Sequence, residues 1–318
     1  MAVVTHHEPV SAPQAAAGRQ LLSEHTVLSL LTSASTHLHS LGFDEARLHV
    51  EWMLARTLGL KRLDVYLQFD RPLTRDEVTR FKSLYRRRLE HEPLQYILGD
   101  TEFMGRTFLV DRRVLIPRPE TELLVERAVA LLGEREDDER RVLDVGTGSG
   151  NIALCVAAMT PGVRMTAIDV SAEALEVAAR NGERLLPGGV EFVRADISAD
   201  TSADILPGRM FDLVLANPPY IPLAEYELLQ PEVRDWEPRG ALTDGGDGTR
   251  IPGRVLAFVS SRLVPGGILL MEIGAGQSAR ILSLAAASGL EAVTVHPDHA
   301  GIPRVLEARR PPVGEAAS

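Results

Sequence analysis

Hydrophobic and polar positions follow two alternating periods from residue 121 onward. Apolar positions at helical spacing occupy 121–132, 151–159, 172–184, 249–262 and 277–288. Short apolar runs typical of strands occupy 141–145, 164–169, 189–194, 211–216, 266–272, 291–296 and 303–309. Alternation of this kind predicts an α/β fold, in which helices cover both faces of a mainly parallel sheet. Ligands of such sheets bind at the carboxyl ends of the strands.

The pattern before residue 93 is helical throughout. An amphipathic stretch begins at Val27, and two further stretches follow Asp44 and Thr74, which are candidate helix N-caps. Three to five short helices would form a small bundle. A helical bundle without a cluster of polar residues that could form an active site is typical of a scaffold or a docking module.

Between these parts, glycines interrupt β-prone runs at 96–99 and 103–110, which predicts a hairpin. The sequence therefore predicts five regions. They are a disordered tail (1–23), a helical substrate-docking domain (24–92), a linker hairpin (93–118), the α/β domain (119–312) and a second tail (313–318).

Composition and charge exclude several classes of protein. The 318 residues, 45% of them hydrophobic, allow two packed domains. No apolar run reaches the roughly 20 residues that span a bilayer, and residues 1–20 lack the basic start and apolar core of a signal peptide, so we expect a cytoplasmic location. A net charge of −10 disfavours broad binding to a phosphate backbone. The histidines lack metal-binding spacing and the single cysteine, Cys155, lies in an apolar run, so we expect no metal site and no reactive thiol.

A glycine-rich loop follows the first strand of the α/β domain and precedes a helix. Its residues are Gly146, Thr147, Gly148, Ser149 and Gly150. Glycines permit a tight turn and a close approach of a ligand to the backbone. A dinucleotide site would need a third glycine where this chain has Asn151. Asp144, inside the strand, better suits a ligand that carries an amino group.

Residues after the next two strands complete the predicted cofactor site. Asp169 ends the second strand, where a carboxylate can accept hydrogen bonds from both hydroxyls of a ribose. The alternative is a helix cap, which Asp169 or Ser171 could provide. Asp196 follows the third strand and could contact an adenine ring, although Ile197 could make that contact through its apolar side chain.

The fourth strand ends in the candidate reaction site, Asn217, Pro218, Pro219 and Tyr220. The prolines stiffen the chain, but a rigid turn alone would not explain all four residues at the edge of a cleft. The Oδ1 atom of Asn217 and the carbonyl of Pro218 could each accept a hydrogen bond from an NH2 group. Such acceptors stabilise positive charge that develops on a weakly nucleophilic nitrogen. Tyr220 could pack against a flat amide or base, and Asn217 could also contact the cofactor.

The span from about 93 to 310 resembles the release factor glutamine methyltransferases. The matching stretches are 93–99, 115–122, the glycine loop, 217–221, 237–242, 272–274 with Gln277, and Gly301 with Arg304 and Val305. The sequence departs from the family at Asp235 and Trp236, where tyrosine usually stands next to the glutamate.

The resemblance implies a Rossmann-like, seven-stranded, S-adenosylmethionine-dependent methyltransferase domain, preceded by a helical domain that helps to grip the release factor. It also implies methyl transfer to the glutamine of a Gly-Gly-Gln loop, which gives N5-methylglutamine and S-adenosylhomocysteine. Under this interpretation the partners are peptide chain release factors. We expect a monomer with neither a membrane nor a nucleic-acid substrate.

Alternative functions remain open from the residues alone. An enzyme that methylates amino groups of adenine or guanine shares the Asn-Pro-Pro-Tyr signature, but the net charge and the 117–122 stretch argue against it. A glutamine methyltransferase for a ribosomal protein differs little in sequence. A dinucleotide-binding oxidoreductase does not fit the glycine spacing, and a non-catalytic cofactor-binding protein would not need the Asn217 motif.

Overall fold

The computed structural model describes residues 22–133, 140–197 and 206–312. The chain divides into two compact units, Met1–Leu89 and Glu90–Ser318. The sequence-predicted tails lie outside the described residues, except for Leu22 and Ser23, which begin a strand. In the described part of the chain, every helix is too short or too polar to cross a membrane.

The first unit consists mainly of helices. Its elements are β1 (Leu22–Thr26), α1 (Val27–Ser40), α2 (Ala46–Leu58), a 3-10 helix (Arg62–Gln68), β2 (Pro72–Thr74) and α3 (Arg75–Leu89). The helices bury apolar side chains that include Val27, Leu54 and Phe81. The strands β1 and β2 pair antiparallel, which was not predicted because neither has an alternating apolar pattern.

Side chains set the start of two of these helices. Thr26 Oγ1 accepts from Ser29 N at 3.2 Å, and Ser29 Oγ accepts from Thr26 N at 2.9 Å. Thr74 and Glu77 form the same reciprocal pair, which confirms the predicted cap of α3. The predicted Asp44 cap is wrong. Helix α2 instead follows Glu45, whose left-handed φ of 49° turns the chain between Asp44 and the first helical turn, and no side chain caps it.

The second unit begins with α4 (Leu94–Leu98) and an antiparallel hairpin of β3 (Asp100–Phe103) and β4 (Arg106–Leu109). The predicted hairpin is confirmed. The β-prone run at 96–99, however, forms the end of α4 and its C-cap, Gly99, rather than a strand. Phe103 and Phe108 meet edge to face with ring centroids 6.1 Å apart. Both rings are buried in a hydrophobic cluster that also includes side chains from one face of the unit's seven-stranded sheet. The hairpin therefore belongs to the core of this unit.

A seven-stranded sheet forms the centre of the second unit. Its strands are β5 (Arg141–Val145), β6 (Arg164–Asp169), β7 (Val190–Arg194), β8 (Phe211–Ala216), β9 (Leu263–Glu272), β10 (Glu291–Pro297) and β11 (Pro303–Arg309). The spatial order is β10-β11-β9-β8-β5-β6-β7. Strands β5 to β9 run parallel, and β11 is antiparallel to both of its neighbours. The predicted α/β class with seven strands is confirmed.

Helices cover both faces of this sheet. They are α5 (Glu122–Gly133), α6 (Asn151–Met159), α7 (Ala172–Leu185), α11 (Arg250–Ser260) and α12 (Ser278–Ala287). Three four-residue helices, α8 (Leu223–Tyr226), α9 (Pro231–Arg234) and α10 (Arg239–Leu242), lie between β8 and α11 in the chain. Residues of α5 and α6 share one hydrophobic cluster with the sheet, and residues of α11 and α12 share the other. Cys155 is buried in the first cluster, where burial raises the pKa of its thiol to about 12. Helices α8 to α10 were not predicted, because four residues are too few to show a helical period.

The order of the strands fixes the place of the site. The chain moves outward from β5 through β6 to β7, and then returns to the other side of β5 with β8. Loops that leave β5 and β8 therefore diverge, and they open a crevice at the carboxyl ends of these strands. The glycine loop follows β5 and the Asn217 motif follows β8, so both predicted motifs border this crevice.

Candidate active site

The glycine loop is fixed against the neighbouring strand. Gly146 and Gly148 have φ angles of 76° and 54°, a left-handed conformation that residues with a Cβ rarely adopt. The amides of Gly146 and Thr147 donate to the carbonyl of Ile168 at 2.9 and 3.0 Å. No described atom lies within 4 Å of the position that a Cβ would take on either glycine. The loop thus presents bare backbone to open space.

Asp144 supports this loop from behind. Its side chain is fully buried and does not line the cavity described below. Oδ2 accepts a hydrogen bond from the hydroxyl of Thr147 at 2.7 Å, and burial raises the pKa of the carboxyl to about 7. Asp144 therefore contacts the loop and does not line the cavity, whereas the sequence suggested a residue that suits a ligand with an amino group.

Asp169 stands at the end of β6 with both carboxylate oxygens engaged by the backbone. Oδ2 accepts from Gly148 N and Oδ1 accepts from Ser171 N, each at 2.9 Å. The cap of α7 is Ser171, whose Oγ accepts from Ala174 N at 3.1 Å, so Asp169 is not the cap. Burial raises the pKa of Asp169, and the amide donors partly offset this rise. Because each carboxylate oxygen can accept two hydrogen bonds, capacity for a ligand remains.

A cavity of about 430 Å³ connects these residues. This volume lies within the range of roughly 300–1,000 Å³ that is usual for small-molecule sites. Its walls contain most of the predicted cofactor residues, namely Gly146, Thr147, Gly148, Ser149, Asp169, Asp196, Ile197 and Asn217. Gly150 does not line it; that residue has a φ of 81° and precedes the first turn of α6.

Three residues of the Asn217 motif form another part of the cavity wall. Asn217, Pro218 and Pro219 line the cavity, whereas Tyr220 does not. The phenol of Tyr220 turns away and donates to Glu272 Oε1 at 3.0 Å, and burial raises its pKa. The sequence suggested that the Tyr220 ring could pack against a flat substrate. In the structure the ring does not line the cavity where such a substrate would bind. Its observed contact anchors the end of the motif.

A buried hydrogen-bond network continues from Asn217. Asn217 Nδ2 donates to Thr121 Oγ1 at 3.1 Å, and that hydroxyl donates to Glu272 Oε2 at 2.7 Å. Thr121 and Glu272 are 2% and 1% exposed, so neither exchanges these bonds with bulk water. Burial raises the pKa of Glu272, while the hydroxyl donors and the guanidinium of Arg304 lower it.

The backbone beyond the motif is held by Gln277. Its Nε2 donates to the carbonyl of Tyr220 at 2.7 Å, and its Oε1 accepts from Gly274 N at 3.1 Å. Gly248 approaches so closely that a Cβ there would stand 2.1 Å from the same carbonyl. Sequence reasoning assigned no role to these residues, because they are separated from Tyr220 in the chain by 28 to 57 positions.

The comparisons with known proteins agree with this architecture. The family model described as PrmC N-terminal domain matches residues 29–99, and the one described as Methyltransferase small domain matches residues 120–230. A release factor glutamine methyltransferase of Chlorobaculum tepidum is 43% identical over 267 residues, covering 83% of this chain and 90% of that protein. The corresponding protein of Geobacter sulfurreducens is 38% identical over 284 residues, covering 89% and 96%. The chain belongs to the release factor glutamine methyltransferase family. The resemblance predicted from the motifs is thereby confirmed.

Two stretches that match the family, 115–122 and 237–242, meet beside the cavity. Glu237 is buried; its Oε1 accepts from Arg118 Nη2 at 2.5 Å and its Oε2 accepts from Ile116 N at 3.1 Å. Arg118 and Pro238 both line the cavity. Trp236, at the position where the sequence departs from the family, packs on a neighbouring apolar cluster and donates to the carbonyl of Glu90 at 3.2 Å. The departure therefore keeps an aromatic ring with a polar donor.

The cavity residues fit the S-adenosylmethionine that this family resemblance implies. Bare backbone at Gly146 and Gly148 leaves room for a bulky polar ligand. A carboxylate at Asp169 suits vicinal hydroxyls, and Ile168, Val170 and Ile197 supply apolar surface for a flat ring. We expect the glycine loop and Asp169 to hold the cofactor, and Asn217 to stand at its reactive end.

Replacing Asp169 with alanine should weaken binding of S-adenosylmethionine by about 1–3 kcal/mol, because a charge-assisted hydrogen bond to the ligand is lost. Isothermal calorimetry measures this directly. Asp212→Ala is a matched control, since Asp212 also accepts a backbone amide, that of Arg141 at 2.9 Å, but lies at the start of β8 and outside the cavity. Equal affinities for the two variants would contradict the ribose-binding role.

Proposed function

We propose that this protein transfers the methyl group of S-adenosylmethionine to the side-chain amide of the glutamine in the Gly-Gly-Gln loop of peptide chain release factors. The products would be N5-methylglutamine and S-adenosylhomocysteine. Two relatives that share most of the chain are named release factor glutamine methyltransferases, which supports the proposed substrate. We also propose that the protein acts in the cytoplasm, as a monomer and without a nucleic-acid substrate.

The observation that carries the proposal is the position of Asn217 and Pro218 on the wall of the same cavity as the glycine loop. Strands β5 and β8 are neighbours in register, with Val145 opposite Ala216, so the first residues after each strand are adjacent. When bound, the cofactor supplies an electrophilic methyl group. The glycine loop would place this group within reach of a nitrogen held by the Asn217 motif.

An amide nitrogen needs particular help to react, because its lone pair is delocalised into the carbonyl. Acceptors aimed at both N–H bonds stabilise the positive charge that develops on nitrogen and orient it toward the methyl donor. Asn217 Oδ1 and the Pro218 carbonyl are acceptors of this kind. The ring of Pro218 fixes its φ angle and the following Pro219 restricts its ψ angle, so the Pro218 carbonyl is confined to a narrow range of directions.

A labelling experiment tests the substrate class. The protein and methyl-labelled cofactor are incubated in separate parallel reactions with release factor, ribosomal protein, transfer RNA or DNA. We expect label in the release factor alone, and peptide mapping should place one methyl group on the glutamine of the Gly-Gly-Gln loop. Release factor with glutamate at that position is the matched control and should stay unlabelled. Label on ribosomal protein, on nucleic acid or on lysine or arginine would contradict the proposal.

A further inference from the structure

The side-chain amide of Asn217 can present two opposite groups to the cavity. A half turn about its last bond exchanges the oxygen, which accepts hydrogen bonds, with the nitrogen, which donates them. Only the oxygen suits the NH2 group of a glutamine substrate, because the reversed orientation would set two donors against each other. The reaction therefore needs a structural feature that fixes this amide.

The buried pair Thr121 and Glu272 has the chemistry to fix it. Both oxygens of Glu272 accept from hydroxyl groups, that of Thr121 at 2.7 Å and that of Tyr220 at 3.0 Å. A threonine hydroxyl has one proton, and here that proton points to Glu272. Toward Asn217 the hydroxyl can then only accept, so it selects the NH2 side of the amide, at 3.1 Å.

We infer that Thr121 and Glu272 are positioning residues that hold the Asn217 side chain with Oδ1 toward the reacting amide. The inference rests on the proposed function and assigns a role to part of the 117–122 stretch. Among the described residues Asn217 Oδ1 makes no hydrogen bond, and Asn217 lines the cavity. Thr121 lies in a 3-10 turn before α5 and Glu272 ends β9, so three separate segments converge on this amide.

The first variants separate the hydroxyl from the size of the side chain. Thr121→Val removes the hydroxyl at nearly constant volume and frees the amide to rotate. We expect the single-turnover rate on release factor to fall roughly 10- to 100-fold, the range for a misplaced reacting group. Affinity for S-adenosylmethionine should stay within about threefold of wild type, since the glycine loop is untouched. Thr121→Ser keeps the hydroxyl and should restore most of the rate.

Thr166→Val provides a matched control. Thr166 is another buried threonine whose hydroxyl donates to a glutamate, Glu191, at 3.3 Å, but it lies within β6 and outside the cavity. This variant should transfer methyl groups at the wild-type rate. A similar loss in both threonine variants would indicate a general effect of the buried substitution and would overturn the inference.

Glu272→Gln tests the direction of the proton. The new NH2 group can donate to Thr121, whose own proton is then free to turn toward Asn217 and favour the reversed amide. We expect a rate loss of at least the size seen for Thr121→Val. Combining Thr121→Val with Asn217→Ala should add little further loss, because residues that act through one group are not additive.

Two outcomes separate this inference from the proposed function. Wild-type protein that leaves release factor unlabelled overturns the function. Active wild type together with a full-rate Thr121→Val variant overturns the inference alone.

A readout without substrate is the NMR resonance of the Asn217 side-chain NH2 in protein labelled with ¹⁵N-asparagine, assigned by its loss in Asn217→Ala. It should shift in Thr121→Val and not in Thr166→Val; an unshifted resonance would contradict the hydrogen bond.

Discussion

Asn217→Ala should reduce the rate of methyl transfer by about 10²- to 10³-fold, the usual effect of removing one preorganised group that stabilises charge in the transition state. Under the proposed mechanism the Oδ1 atom of Asn217 accepts from the reacting amide, on whose nitrogen positive charge develops, and alanine offers no acceptor there. Affinity for the cofactor should change far less, because Asp169 and the glycine loop remain intact. Single-turnover rates at saturating cofactor separate chemistry from binding and are the appropriate measurement.

Asn217→Asp is the informative second variant at this position. It keeps an acceptor oxygen but loses the NH2 group that donates to Thr121, and it adds a carboxylate close to Glu272. The negative charge should tighten binding of the positively charged cofactor while the substrate amide is held less well. We expect partial activity, between those of wild type and Asn217→Ala. Wild-type single-turnover rates for Asn217→Ala would leave the motif as a rigid turn without a chemical role.

The strands and loops that carry the site could be predicted from the sequence, because local patterns of residues determine them. Strand β5 has a short apolar run that ends in glycines, and β8 has one that ends in Asn217 and two prolines. Each pattern indicates both the strand and the turn that follows it. The rule that ligands bind at the carboxyl ends of parallel strands then brings the two loops together without knowledge of the strand order.

The supporting contacts could not be predicted in the same way. Thr121 and Glu272 are 151 positions apart, and Ile116 and Glu237 are 121 apart, so no period or spacing links them. Similarly, nothing in the pattern of β8 shows that Tyr220 turns toward Glu272 instead of the cavity. Such pairs depend on how the strands are ordered in the sheet. The buried glutamates Glu237 and Glu272 point most directly to such long-range contacts, because a buried carboxylate requires partners. Their burial becomes known only from the structure.

Docking of the release factor is expected to require the first unit. A cavity of about 430 Å³ has the size of a small-molecule site, whereas stable recognition of a protein usually buries roughly 800 Å² on each partner. Outside the cavity, the first unit exposes apolar and aromatic side chains, with Leu67 82% and Leu63 67% exposed. Trp52 and Tyr66 lie under the guanidinium groups of Arg62 and Arg47. Aromatic residues and arginine are the types enriched in protein interfaces.

Deleting residues 1–89 should therefore lower kcat/KM for intact release factor by about 30- to 1,000-fold, which corresponds to the loss of roughly 2–4 kcal/mol of interface contacts. The second unit has its own core and the whole cavity, so its affinity for S-adenosylmethionine should persist. A short peptide with the Gly-Gly-Gln sequence serves as the control substrate, and the truncated and full chains should methylate it at similar rates. Leu67→Asp in the full chain should reproduce part of the loss without removing the unit. A truncated protein that binds the cofactor and methylates intact release factor at the full rate would show that docking depends on the second unit alone.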